Sequence, residues 1–348
     1  MSARFDGWVP CRVYGQHGRP SVDWCYLGED GFTEPFFEDT IRRALRRPFN
    51  LLFRHQTPID VLGEWRAVQP GLAPTGFIFH MSRCGSTLIA RVLAALPRHV
   101  VISEAGPIDA VLRANFHDGT AAPDGTDDRR VSWLQWMISA LGQRRRGDEG
   151  HFFVKFDSWS ALSLPLVARA FPSVPWIFVY RNPVDVIMSH VKHRGAQMVS
   201  ALVEPELFQM DRATAIELPF EEYAARVLAS ICRAALAPLR AGAGLAVDYV
   251  ELPDAIWSSL PQYWGFDVTA ADRDTMKEAA RYDAKRPQFL FADDTAATPR
   301  GATILARQVA DAWMGPLYEE LKALTHVARA ETAQAEWRAR SGRSPSRG

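Results

Sequence analysis

The stretch from Gly76 to Leu96 constrains this chain more than any other. A short apolar run, Phe77–Phe79, leads into the turn His80-Met81-Ser82-Arg83-Cys84-Gly85-Ser86-Thr87, and an amphipathic segment, Leu88–Leu96, follows. Strand, tight glycine turn, then helix is the geometry that aims backbone N–H groups and the positive end of a helix at an anion. The same alternation continues downstream. Val100–Ile102, Phe152–Phe156, Trp176–Tyr180 and Leu245–Val250 read as buried-type strands; 106–114, 131–142, 162–171 and Pro183–Val191 read as helices. This pattern predicts an α/β fold: a P-loop-type three-layer sandwich with a central parallel sheet, preceded by an irregular N-terminal extension.

In such a sheet, ligands sit beyond the carboxyl ends of the strands. Those ends carry the phosphate loop, Ser103-Glu104, Lys155 followed by Asp157, and Arg181. An arginine-bearing loop, a carboxylate, a lysine and an arginine are therefore expected around one crevice. The loop departs from G-x-x-x-x-G-K-[ST], because Ser86 stands where the lysine belongs and Arg83 is its only cation. A magnesium-dependent P-loop enzyme also uses an aspartate on a sheet strand, yet the strand ending at Tyr180 runs into Arg181. The expected ligand is phosphorylated but is not the magnesium complex of ATP or GTP. Arg83, Gly85, Ser86 and Thr87 supply a cation, close backbone approach and two hydroxyl donors. Asn182 suits a helix N-cap and Pro183 the first helical position.

Three regions follow from the pattern. Residues 1–70 form a lead-in that packs or serves the acceptor side, with two short strands at Trp8–Tyr14 and Val22–Leu27 and helical spacing from Phe36 to Leu45. Arg42, Arg43, Arg46 and Arg47 are expected on solvated faces there. Residues 71–327 form the main domain, with an exposed polar loop at 115–130, and 328–348 a flexible tail. Forty basic and forty acidic side chains cancel, which argues against nucleic-acid and membrane partners. Four scattered cysteines without a C-x-x-C pair, and no apolar signal or spanning segment, predict a reduced, cytoplasmic setting.

The loop and the Tyr180–Ser189 segment resemble the sulfotransferases that use 3′-phosphoadenosine 5′-phosphosulfate (PAPS). Ser82-Arg83-Cys84-Gly85-Ser86-Thr87 is similar to that family's P-[KR]-S-G-T-T loop for the 5′-phosphosulfate. Arg181, followed eight positions on by Ser189, is similar to its 3′-phosphate motif. The nearer likeness is to the tyrosylprotein sulfotransferase branch and its bacterial relatives, which carry arginine in the loop and a catalytic glutamate about two dozen positions later. The resemblance covers roughly residues 76–190. It implies Glu104 as general base, and Lys155 and Arg83 as stabilisers of the transferring group. It implies a donor site of Arg83, Cys84, Gly85, Ser86, Thr87, Arg181 and Ser189, with Tyr249 and Lys285 on the adenine side and in a covering loop. It also implies PAPS as sulfuryl donor, no metal, and a hydroxyl- or phenol-bearing acceptor, small molecule or peptide.

Where cytosolic small-molecule sulfotransferases have a catalytic histidine two positions after the strand lysine, this chain has Asp157. Asp157 is therefore the second candidate base. His80, His190 and His193 lie beside the motifs and are expected to be satisfied structural histidines. Two other functions stay open on the residues alone: a P-loop ATP-dependent phosphotransferase using Lys155 and Asp157, and a non-catalytic nucleotide-binding scaffold. Trp24, Tyr26, Phe32, Phe36 and Phe37 are expected to pack rather than to line an acceptor site.

Overall fold

A computed structural model describes residues 5–16, 19–114, 128–199, 202–282 and 302–341, the last with side chains to 326. Its strands are β1 (Trp8–Gln16), β2 (Arg19–Tyr26), β3 (His55–Pro58), β4 (Gly76–His80), β5 (His99–Ser103), β6 (His151–Lys155), β7 (Trp176–Tyr180) and β8 (Leu245–Asp248). The last five form one sheet in the order β5-β6-β4-β7-β8. The pairings β5–β6, β4–β6 and β7–β8 are parallel, and every residue of β4, β5 and β7 is buried. This is the α/β fold expected from the run of apolar segments. The chain divides into two compact units, one drawn from 1–80, 85–176 and 251–293, the other from 81–84, 177–250 and 294–348. All five points at which the chain passes between the units fall within residues 71–327.

The first unit contains β1 to β6. The lead-in is more regular than its glycines and prolines suggested: β1, β2 and β3 form an antiparallel sheet in sequence order. β3 was not anticipated, because His-Gln-Thr-Pro carries no apolar alternation; Trp24 Nε1 donates to Thr57 Oγ1 at 2.9 Å and helps to hold it. Under that sheet, Phe5 stacks on Trp24 with ring centroids 4.2 Å apart. Beneath the parallel strands, Phe79 stacks on Phe156 at 4.6 Å, and Phe77 meets Phe156 and Phe171 edge-on. Register sets Lys155 level with Ser103 on one side and Ile78 on the other.

The start of β5 carries an acid-sensitive core position. His99 is 6% exposed, its Nδ1 lies 2.9 Å from the Leu93 carbonyl, and its Nε2 has no hydrogen-bond partner. Burial, followed by His151, pushes its pKa down to about 3, against about 6.5 in an unfolded chain. Because the folded value is depressed, this stability is complete above about pH 6.5 and drains as pH falls toward the folded value. Between about pH 7.5 and pH 5 the loss is about 2 kcal/mol. Urea unfolding at the two pH values should show it. His80 and His151, also held down by burial, act in the same direction, so His99→Leu should shrink the drop without abolishing it. An undiminished drop in that variant would take His99 out of the acid response.

The second unit is built on β7 and β8; the helix Ile304–Ser341 packs on β8 and against the helices Pro183–Lys192 and Phe220–Arg240, which also pack on each other. The helix Phe220–Arg240 buries a stripe including Val227, Leu228, Ile231 and Leu236. The Tyr180 hydroxyl lies 2.9 Å from Thr325 Oγ1, tying a strand to the last helix. That helix continues past Ala328, where the tail was expected to begin. All four cysteines are free and buried, and among the described residues no helix is long and apolar enough to cross a membrane.

Candidate functional site

Backbone strain marks the ends of the strands. Four described non-glycine residues have positive φ, and three of them are Ser82 (87°), Arg83 (50°) and Glu104 (52°). Each such residue costs on the order of 1–3 kcal/mol and persists only where its surroundings over-determine it. Gly85, at φ 86°, completes the turn from β4 into the helix Ser86–Ala94 and takes that conformation without the penalty of a Cβ. The chain thus passes from strand to helix through a tightly wound loop, the shape whose backbone amides accept an anion.

In the first unit, the ends of β5 and β6 bring Glu104, Lys155 and Asp157 together. Lys155 is fully buried, and its Nζ donates to Glu104 Oε1; Glu104 is held from below by its N–H, which donates to the Lys155 carbonyl at 2.8 Å. The left-handed backbone at Glu104 turns the chain out of β5 toward the helix Gly106–Leu112. His80, the last residue of β4, lies 3.5 Å from Glu104 Oε1 and 3.1 Å from the Phe156 carbonyl through the same Nε2. The aromatic face of Phe36 lies 5.5 Å from the Lys155 ammonium. Ser86 and Thr87 open the neighbouring helix and are both buried.

Electrostatics assigns different protonation states to this group. Burial pulls the Glu104 carboxyl up, but the Lys155 ammonium and the His80 hydrogen bond outweigh it and hold the carboxyl well below its ordinary range. Glu104 is ionised at neutral pH. Asp157 goes the other way: burial, then the charges of Glu104 and Asp109, raise it well above a normal aspartate. Asp109 is itself held by Trp159 Nε1 at 2.6 Å and by Arg113 at 2.9 Å. His80 is kept neutral by burial and by Lys155.

In the second unit, Arg181 follows β7 directly. Its guanidinium lies 4.2 Å over the Tyr249 ring and its Nε 3.4 Å from Asp185 Oδ2. The register Tyr180↔Asp248 is what makes Arg181 and Tyr249 neighbours. Asn182 caps the next helix by accepting from the Val184 N–H at 2.9 Å, and half-buried Ser189 stands two turns along it. Arg83 Nη2 donates to the His193 carbonyl. Cys84 Sγ lies 3.1 Å from the Val179 carbonyl, so its side chain anchors the loop. His190 is fully buried; its Nδ1 accepts from the Gly195 N–H at 3.2 Å, leaving Nε2–H to donate to Ser82 Oγ at 3.1 Å. Lys285 lies outside the described residues.

Three partners were not expected from the sequence: His80 on Glu104, Phe36 on Lys155, and Asp185 on Arg181. Only the last had a local signal, the four-residue spacing that puts Asp185 one helical turn beyond Arg181. Among the described residues, no group of three or more His, Cys, Asp or Glu is placed to hold a metal ion.

No protein-family model matches this chain, and no curated protein matches it. Solved structures similar to it are sulfotransferases. One is from Alicyclobacillus acidocaldarius, at 15% identity and TM-score 0.42, over 73% of this chain and 96% of that one. Another is sulfotransferase STF9 from Mycobacterium avium, at 16% and 0.44, over 72% and 78%. A third is mouse sulfotransferase SULT7A1 complexed with PAP, at 14% and 0.41, over 77% and 91%. Identities this low and superpositions this loose leave activity and residue roles to be argued from the site.

Proposed function

We propose that this protein is a PAPS-dependent sulfotransferase acting on a hydroxyl or phenol acceptor. The observation that carries the reading is the Lys155–Glu104 pair, a fully buried lysine bonded to an ionised carboxylate on a strained residue. A scaffold that only bound nucleotide would have no use for so costly a pair. The residues are joined in one reaction by the order of their sequence motifs.

The loop fits an anionic donor. Left-handed backbone at Ser82, Arg83 and Gly85, the helix start at Ser86 and the Arg83 guanidinium are groups suited to a 5′-phosphosulfate. Arg181, with Tyr249 beneath it, suits a 3′-phosphate. When bound, PAPS supplies an activated sulfuryl group. Glu104 takes the acceptor proton, for which its ionised form is already present. Lys155 and Arg83 offer positive charge where oxygens become more negative, a contribution that depends on positioning. As Lys155 turns toward an incoming anion, Glu104 loses the charge that depresses it and becomes a stronger base.

Calorimetry with adenosine 3′,5′-bisphosphate in EDTA, beside ATP with and without Mg²⁺, tests the reading. Tight metal-independent binding of the bisphosphate is expected; preference for Mg-ATP would overturn it in favour of a phosphotransferase. Arg181→Ala should weaken the bisphosphate by on the order of 1.5–3 kcal/mol, about 10- to 150-fold in Kd. Unchanged affinity would remove Arg181 from the 3′-phosphate site.

A further inference from the structure

The short helix Pro48–Leu52 and the residues around it form a surface that sulfuryl transfer does not use. Phe49, Leu51, Leu52 and Phe53 are 43, 57, 77 and 57% exposed. A single apolar side chain in water is ordinary, but four within five residues form a patch. Arg42, Arg43, Arg46 and Arg54 are exposed on either side of them in sequence.

The turn that presents these side chains is firmly held. Asn50, in their midst and 2% exposed, uses its amide on three backbone groups. Its Oδ1 accepts from the Tyr26 N–H at 2.9 Å, and its Nδ2 donates to the carbonyls of Tyr26 at 2.8 Å and Ala44 at 2.9 Å. The Phe49 ring lies 4.9 Å from Tyr26 on one side and 4.9 Å from Phe53 on the other. A buried, fully bonded asparagine thus fixes the backbone to β2 and the preceding helix, and the apolar residues beside it stay in solvent.

We propose that this tip docks on an anionic lipid bilayer, its apolar side chains entering the headgroup boundary while the arginines meet lipid phosphates. Charge favours that occupant. Arg42, Arg43 and Arg47 pair with Asp39, Glu34 and Asp30, whereas Arg46 and Arg54 have no carboxylate partner among the described residues. The patch is therefore locally positive, which a net charge of zero summed over the whole chain conceals. Size favours it too. A stable protein–protein interface uses about 20–30 residues a side, while a few neighbouring Phe and Leu side chains flanked in sequence by exposed arginines suit shallow insertion of about 5–10 Å. With no membrane-crossing helix among the described residues, the attachment is peripheral. It does not depend on the transfer reaction.

Flotation of the full chain with vesicles tests it, comparing phosphatidylcholine alone with equal parts phosphatidylcholine and phosphatidylglycerol. The protein should float with the anionic vesicles, less as salt rises, and remain behind with the neutral ones. Leu52→Glu, at the most exposed position, should lower anionic-vesicle binding at least about tenfold, and the pair Arg46→Glu and Arg54→Glu should also lower it, with melting temperature and bisphosphate binding unchanged. Failure of the wild-type chain to float, equal binding to neutral vesicles, or full binding by Leu52→Glu would each overturn the proposal. So would a dimer in light scattering that Leu52→Glu dissociates without any vesicle binding, which would assign the tip to a second copy.

Discussion

Glu104→Gln is expected to lower turnover by at least about 100-fold, in keeping with the 10²–10⁴ a positioned base contributes, while affinity for adenosine 3′,5′-bisphosphate stays near wild type. The substitution keeps the shape of the side chain and removes only its charge and basicity. It also leaves the Lys155 ammonium without its anion, so part of any loss of activity could reflect a displaced lysine. Single-turnover rates across pH separate the two. A variant lacking the base should regain rate as pH rises and the acceptor ionises by itself, whereas a misplaced lysine should lower the rate at every pH. Wild-type turnover in Glu104→Gln would remove it from the mechanism and promote Asp157. For Asp157 to serve, it would first have to lose the proton that burial and its acidic neighbours favour.

Lys155→Met is expected to have the larger combined effect. Removing a donor aimed at developing charge costs about 10²–10³ in rate. Removing one partner of a buried pair costs about 3–5 kcal/mol of stability; because Glu104 is 25% exposed, the lower end applies. The double variant Glu104→Gln/Lys155→Met makes the two contributions separable. With no charge left to bury, it should recover much of the stability lost by Lys155→Met yet remain inactive. Denaturant midpoints and turnover on the four proteins of the cycle give both readouts. If the double variant were no more stable than Lys155→Met, the pair would not behave as a coupled buried ion pair.

The same sign logic governs acid. Glu104 has a folded pKa below its unfolded value, so the stability it contributes is present above the ordinary glutamate range and is lost as pH falls through the depressed value. His99 loses its contribution earlier, from about pH 6.5 downward. Mild acid should therefore weaken the unit around β5 before it neutralises Glu104.

Much of the fold was legible because strands buried on both faces leave a signature that needs no partner to read. Phe77–Phe79, Val100–Ile102 and Trp176–Tyr180 are continuous apolar runs, and each lies in a strand of the parallel sheet. The helix start at Pro183 was legible for a local reason too, since capping and φ restriction involve neighbours in the chain; the helix expected over Leu88–Leu96 begins two residues earlier, at Ser86. β3 was not, because His55–Pro58 becomes a strand through pairing with β2, a contact more than 30 residues away in sequence. The exposed tip at Phe49–Phe53 carried no signal in the sequence for a similar reason: apolar residue types alone do not reveal that Asn50 holds its neighbours in water.

Periodicity and turn chemistry are local, so they were enough to say which residues stand at the carboxyl ends of the strands. What those residues are as acids and bases follows only from the folded arrangement. Glu104 and Asp157 are both carboxylates near Lys155, and nothing in their order says which keeps its proton. The fold half-buries both, places Lys155 and His80 on Glu104, and sets Glu104 and Asp109 near Asp157 as like charges. A pKa is a difference in through-space energy between two charge states, and those distances exist only once the chain has folded.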